Sequence, residues 1–465
     1  MFRTAGLLVA RVLGRGGRTG VSESSEAPAW PRASAAWWAI GVFTLCAVSS
    51  YTDRNALSLL VDQIRAELLI SDTQMSLIQG LAFASAYAIA GLPLGRLADQ
   101  GQRVRLMIVG ILLWSSATAA CGLATDFTSM FVARVLVGVG EAALAPAVFS
   151  MIGDLFPPHR QGTATAVFTA GTTVGQGTSL IIGGGLFHLM STAAPAQTLL
   201  FGDLAPWRVV LLCLAAPGVP IALLLWMTVR EPARRGIAIA GHSRRRTRDV
   251  LAAFLERRRY IFPLWIALAL WTAGDAAMSG WAPTFLSRVY HTPIAAIGTN
   301  LGTLAIMCGV AGTLLGGFLG DRLSVFGGPH LRISAAAAVS AMGIATATIY
   351  FRIDMPIAFA CIGLWIALSN LCQILVISAL QEVLPSDMRG VNIACIAFFD
   401  LFFGASIGHG SAAALTDYVF QDPQAVGRSI AIVTASAASI ATLLFWSAAR
   451  PLAAQHPRAV AYSSV

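Results

Sequence analysis

Residues 95–105 read GRLADQGQRVR, and residues 317–322 repeat the opening of that stretch as GFLGDR. Each closes an apolar run long enough to cross a bilayer, the second such run in its half of the chain. A further signature recurs in the same order. Pro157, Arg160 and Gly162 follow the fourth run, and Pro385, Arg389 and Gly390 follow the tenth. Two signatures repeated in one order at similar spacing divide the chain into two six-helix halves. A parallel repeat of that kind places a site near the midplane, between the halves.

Composition agrees. The chain has 465 residues, 56% hydrophobic and only 11% charged, with a mean hydropathy of +0.72. Soluble domains carry about 25% charged residues, so a soluble enzyme is excluded. The net charge of +9 is carried by arginine alone, because no lysine occurs. Most arginines fall in the tails and in alternate loops, with a dense group at 230–259, while Arg65, Arg288, Arg352 and Arg428 lie on the other side. The positive-inside rule then puts both termini in the cytoplasm. The basicity sets topology and touches anionic lipid; it does not point to nucleic acid. The Ala- and Arg-rich, lysine-free composition leans to a GC-rich bacterial genome, hence the inner membrane.

The expected organisation is a basic tail (1–34), a first six-helix bundle (35–229), an Arg-rich connector (230–259), a second bundle (260–449) and a short tail (450–465). The fold class is all-α membrane protein, with about twelve spans. The basic N-terminal stretch, interrupted by Arg11, is too short and broken for a cleaved signal, so the first span is read as an uncleaved anchor. Within the connector, Val250, Leu251, Phe254 and Leu255 form a short apolar face between arginines, which suits a helix lying on the cytoplasmic leaflet. A basic loop would read similarly. The seven cysteines sit in apolar runs without metal-ligand spacing and read as small buried hydrophobes.

Four charged residues stand inside the spans: Asp53 and Arg54 on the first, Arg134 and Glu141 on the fourth. Each costs roughly 2.5–3.5 kcal/mol at the bilayer centre, so intramembrane charges mark function. Neighbours on a helix point about 100° apart, and residues seven apart lie roughly 10 Å along the axis. Neither pair satisfies itself. Cross-pairing between the two helices does, and the expected partners are Arg54 with Glu141, and Asp53 with Arg134 or a nearby polar group. Burial raises a carboxyl's pKa and a close guanidinium lowers it again. Arginine does not deprotonate, so Asp53 and Glu141 are the candidate proton carriers and Arg54 the candidate counter-ion for an anionic head group. A static cluster that only fixes helix packing is the rival reading, since buried ion pairs are often replaceable.

The loop residues Gly95, Asp99, Arg103 and Arg105 resemble the cytoplasmic gate motif of the major facilitator superfamily, departing from it at Gln100 and Gly101. Asp321 and Arg322 keep the motif's pair in the second half, and residues 229–232 (VREP) resemble the family's end-of-half motif. Tyr51, Asp53 and Arg54 on the first span, and the run from Arg134 through Gly138 and Gly140 to Glu141, are similar to the Spinster branch of that family. The resemblance implies a twelve-helix transporter coupled to protons and moving an amphipathic lipid such as a lysophospholipid or sphingoid phosphate. It also implies Tyr51, Arg54 and Arg134 as substrate contacts, and Asp99, Arg103, Asp321 and Arg322 as gate residues that stabilise the outward-open state.

Phe398, Phe399, Phe402 and Phe403 recur at helical spacing on the eleventh span. Facing the cavity, Phe398 and Phe402 would form an apolar wall for an acyl tail, with Trp271 and Trp281 beside them; facing lipid is the plainer reading. Asp275, Asn370, Gln373, Asp400 and His409 are polar at depth and divide evenly between cavity lining and helix–helix hydrogen bonding. Glycines crowd the fifth and eighth spans, where small residues let helices approach. The expected partners are therefore protons, an amphipathic lipid or a small organic anion or drug, and the surrounding membrane lipids, with the chain acting as a monomer. No cofactor or metal motif is present, and a lipid-modifying enzyme is the remote alternative, as no catalytic set is legible.

Overall fold

The computed structural model describes residues 30–192, 202–234, 247–348, 354–384 and 386–455, which form helices and turns only. Twelve long helices follow in order among them. They are α1 (Ala33–Leu59), α2 (Asp72–Gln100), α3 (Arg103–Gly122), α4 (Phe127–Leu155), α5 (Pro158–Thr192) and α6 (Pro206–Thr228) in the first half. The second half has α7 (Arg258–Tyr290), α8 (Ile294–Gly327), α9 (Pro329–Thr348), α10 (Met355–Val383), α11 (Val391–Phe420) and α12 (Pro423–Ala454). Ten of them are long and apolar enough to cross a membrane. The other two, α5 and α9, are diluted by glycine, alanine, serine and threonine, residues that favour close packing between membrane helices.

Local chemistry sets the ends. A capping box of Ser71 and Gln74 opens α2, and one of Asp126 and Ser129 opens α4, satisfying amide donors that a helix N-terminus leaves bare. The Asp126 carboxylate accepts the Ser129 amide and is held below the usual carboxylate range by it. After α1, a short helix Val61–Leu68 ends at Leu69 with φ 53°. α7 ends at His291 with φ 52°. These two left-handed caps occupy equivalent places in the halves, so the repeat read from the gate stretches extends to the backbone of the opposite loops.

Part of the amphipathic connector is described. Thr247–Glu256 is helical, but Phe254 turns inward and packs its ring edge on Trp265 at 5.2 Å. Residues 1–29, 235–246 and 456–465, which hold most of the tails and Arg235, Arg244, Arg245 and Arg246 of the connector, lie outside the described residues, as do Arg352 and Pro385.

The halves meet at the end opposite the arginine-rich loops. Arg288 at the end of α7 reaches Asp62 and Asp72 of the first half, and Asp417 of α11 accepts the amide and hydroxyl of Thr73 at 2.6 and 2.7 Å. Beside them α5 and α8 touch backbone to backbone: a Cβ at Gly302 would stand 2.4 Å from the Gly177 carbonyl, and one at Gly298 would stand 2.3 Å from that of Leu180. At the arginine-rich end, no ion pair joins the halves among the described residues. On the positive-inside orientation this is an inward-facing arrangement, closed outside.

Candidate functional site

Between the halves lies a cavity of about 100 Å³. The first half lines it with Arg54, Asn55, Ser58, Gln79, Gly80, Phe83 and Ala84. The second half adds Ser279, Gly280, Leu401, Ala405 and His409. Two of its walls are π turns, Leu77–Ala82 in α2 and Phe399–Ala405 in α11. Such bulges are rare and recur at functional sites, because one extra residue per turn re-aims the side chains that follow. The volume is smaller than the roughly 300–1,000 Å³ of pockets for drug-sized ligands, so it is the size of a head group.

Arg54 is the charged residue of that lining. Its Nη2 lies 2.5 Å from Glu141 Oε2, and the Glu141 side chain is 1% exposed whereas that of Arg54 is 20% exposed. The first expected cross-pair is thus formed. Three rings hold the guanidinium: Phe83 at 4.3 Å, Tyr51 at 4.6 Å and Tyr87 at 5.5 Å from their centroids. Cation–π contacts contribute about 0.5–2 kcal/mol each as desolvation increases. Arg54 therefore has supports that do not depend on the carboxylate.

Of the two partners expected for Asp53, Arg134 is not the one it takes; a nearby polar group is. Asp53 is buried and accepts a hydrogen bond of 3.4 Å from Thr118 of α3, while Arg134 donates to the Arg54 carbonyl at 3.1 Å. The reason lies in helix geometry: Arg134 is two turns before Glu141 on α4, and from there it reaches the backbone end of α1. One oxygen of each acid, Asp53 Oδ1 and Glu141 Oε1, is buried without a hydrogen-bond partner.

The other expected residues are distributed as follows. Arg103 is buried within its own half, bound to Asp154 of α4 and to Glu231 just beyond α6. The second half copies this with Arg332, which holds Glu382 at 2.9 Å and the Gly320 carbonyl at 2.8 Å. Asp321 is exposed, and Arg322 is exposed with its guanidinium over Phe318. The Asp99 carbonyl accepts from Arg234. Phe398 and Phe402 stack at 5.4 Å, but the α11 residues lining the cavity are Leu401, Ala405 and His409. The cause is the π turn, which shifts the face presented beyond Phe398. Trp271 stacks on Trp365, whose indole nitrogen donates to Asp275 at 3.0 Å, so Asp275 serves helix packing.

Sequence reasoning missed Gln79, Phe83 and Tyr87, and it missed the outer contacts of Asp62, Asp72, Arg288 and Asp417. Arg288 did stand out as one of the few arginines on the sparsely charged side, and that rarity was the available signal.

Two pseudo-repeated bundles with a cavity between them, joined by ion pairs at one end, define the architecture of a two-half membrane transporter. The Major Facilitator Superfamily model matches residues 43–409, and the chain belongs to that family. It is a multi-pass membrane protein and not an enzyme. An MFS-type efflux pump of Mycolicibacterium smegmatis is 26% identical over 418 residues, 89% of this chain and 92% of that one. Protein spinster of Drosophila melanogaster is 24% identical over 62% of this chain, which spans 46% of its length. A probable L-galactonate transporter of Escherichia coli is 28% identical over 60% of both chains. Among solved structures, a bacterial homolog of the human lysosomal transporter Spinster, inward-facing and unoccupied, superposes with a TM-score of 0.77. The identity is 20%, over 92% of this chain and 100% of that one. FucP in the outward conformation gives 0.56 at 16% identity, covering 88% and 98% of the two chains. The likeness to Spinster proteins and the bacterial relatives agree with the family and the inner membrane read from the sequence.

Proposed function

We propose that this chain is a proton-coupled carrier of an amphipathic anion such as a lysophospholipid or sphingoid phosphate. The observation that carries the reading is the Arg54–Glu141 pair at the edge of the cavity. When Glu141 takes a proton the ion pair is lost, but the aromatic rings keep the guanidinium in place for an anionic head group. Asp53, buried with one oxygen free of partners, is the second proton carrier. The cavity takes the head group. An acyl tail would extend past it toward the Phe398 and Phe402 stack at the cytoplasmic side.

A second reading changes the cargo to a sugar acid or similar small anion. It is favoured by the small cavity, and by the probable L-galactonate transporter among the relatives. Uptake into proteoliposomes under an imposed pH gradient separates the two, comparing labelled lysophosphatidate with D-galactonate. The proton assignment is tested in the same vesicles with Glu141→Gln and Asp53→Asn. Coupling at the wild-type level in both variants would sink it.

A further inference from the structure

His409 comes from the second half and faces the same cavity as Arg54. Its ring occupies a slot made by two glycines. A Cβ at Gly80 would lie 3.3 Å from the His409 Cβ, and one at Gly280 would lie 2.4 Å from the imidazole Cδ2 and Nε2. Nδ1 stands 2.8 Å from the Ala405 carbonyl. A carbonyl only accepts, so Nδ1 carries the hydrogen and the neutral ring keeps its lone pair on Nε2. Among the described residues no hydrogen bond to Nε2 is formed. Gln79 adjoins it: its Oε1 lies 3.5 Å from the Gly280 Cβ position, and its amide nitrogen is buried without a partner. The imidazole Nε2 and the Gln79 amide group, from opposite halves, thus both border the Gly280 position in the lining that also holds Arg54, and a helix-packing histidine would not need that open nitrogen.

We propose that His409 and Gln79 form a hydroxyl-recognition subsite, with Nε2 accepting from, and the Gln79 amide donating to, a hydroxyl near the anionic group held by Arg54. The inference rests on the anionic-substrate reading and narrows it to hydroxylated anions. Lysophosphatidate, with a free glycerol hydroxyl, and sugar acids share that chemistry.

The test uses the full chain in proteoliposomes and two probe pairs, lysophosphatidate with its 2-deoxy analogue and D-galactonate with 2-deoxygalactonate. The wild type is expected to favour the hydroxylated member of the transported pair by roughly tenfold in kcat/KM, the scale of one hydrogen bond. His409→Phe, which keeps the ring volume, should erase the preference by slowing the hydroxylated member far more than the deoxy member. His409→Gln, which restores a polar end near Nε2, should recover part of it. Gly280→Ala, which displaces the imidazole without removing it, should behave like His409→Phe. A wild type indifferent to the hydroxyl overturns the subsite and leaves the anion reading standing. Equal slowing of both members in His409→Phe also overturns it, since that is a packing effect. Transport of neither pair overturns the anion reading and the subsite together.

Discussion

Arg288 at the end of α7 and Asp72 at the start of α2 face each other as a two-pronged pair, Nη1 to Oδ2 and Nη2 to Oδ1, each 2.8 Å. Asp72 is fully buried, and Arg65 lies 3.0 Å from its Oδ1 on the other side. Arg288 also reaches Asp62 at 2.8 Å and the Pro423 carbonyl at 3.3 Å. One guanidinium therefore ties the α1–α2 connection of the first half to α7 and the start of α12 in the second. These contacts exist only while the outer ends are together.

Arg288→Gln is expected to loosen the outer closure. Removing one partner of a buried ion pair costs on the order of 3–5 kcal/mol, because the other charge is left uncompensated. That is less than the roughly 5.5 kcal/mol that takes a two-state equilibrium from 1:99 to 99:1, but it raises the share of the open state at least a hundredfold from a small starting value. A cysteine at the cavity residue Ser58 reports it. In the wild type an impermeant thiol reagent added outside should label Ser58→Cys slowly, and in the Arg288→Gln background several-fold faster. Equal rates would show that Arg288 does not hold this end shut.

Protonation of Glu141 should govern affinity for the anion. In the wild type, Glu141 competes with the substrate for Arg54. Glu141→Gln removes that competition, so it should bind the anion at least as tightly as the wild type and fail to accumulate substrate under a proton gradient. Arg54→Lys keeps the charge but loses the planar fork and its stacking on Phe83 and Tyr51, so its KM should rise roughly tenfold. The checks are KM and the accumulation ratio under a gradient. A Glu141→Gln protein that still concentrates substrate removes Glu141 from the coupling.

Arg103 predicts a stability effect. It is buried between Asp154 and Glu231 and also donates to the Pro232 carbonyl at 3.1 Å, which clamps the ends of α3, α4 and α6 inside the first half. Arg103→Gln should cost about 3 kcal/mol, with a lower Tm in detergent, whereas Arg322→Gln, exposed on α8, should leave Tm nearly unchanged. The double change Arg103→Met with Asp154→Leu should recover part of the loss. A full loss of transport in Arg322→Gln at unchanged Tm would instead assign that residue to gating in another state.

The gate stretches and the charged helices made the repeat, the family and the Arg54–Glu141 pair legible, because each rests on a cost that any sequence must meet at membrane depth. Asp53 was less legible. Its partner is a hydroxyl, Thr118, and threonine is common in membrane helices, so no cost marks it. Phe398 and Phe402 stack on each other as their spacing implies, while the cavity wall of α11 is Leu401, Ala405 and His409, a choice of face that a regular helical period across the π turn at 399–405 does not foretell. The outer contacts were least visible. Asp62, Asp72, Arg288 and Asp417 are unremarkable loop-end charges until positions 216 to 344 residues apart are brought together.

The glycines of α5 and α8 test whether the outer closure also depends on backbone approach. Gly302 and Gly177 face each other so closely that a Cβ at 302 would lie 2.4 Å from the Gly177 carbonyl oxygen and 2.6 Å from the Ile181 side chain. The neighbour there is backbone, which cannot rotate away as a side-chain tip can. Gly302→Ala should therefore push α8 off α5 and speed outside labelling of Ser58→Cys, as Arg288→Gln does. Gly317→Ala on the same helix meets nothing within 4 Å and should label like the wild type. Helix propensity separates the two further, because both alanines favour the helix by about 1 kcal/mol over glycine, so a difference between them is a contact effect. Combining Gly302→Ala with Arg288→Gln should add little to the labelling rate if either change alone already opens the outer end. Slow labelling in Gly302→Ala would mean that α5 and α8 can separate slightly without the ionic contacts letting go, leaving Arg288 as the part that decides.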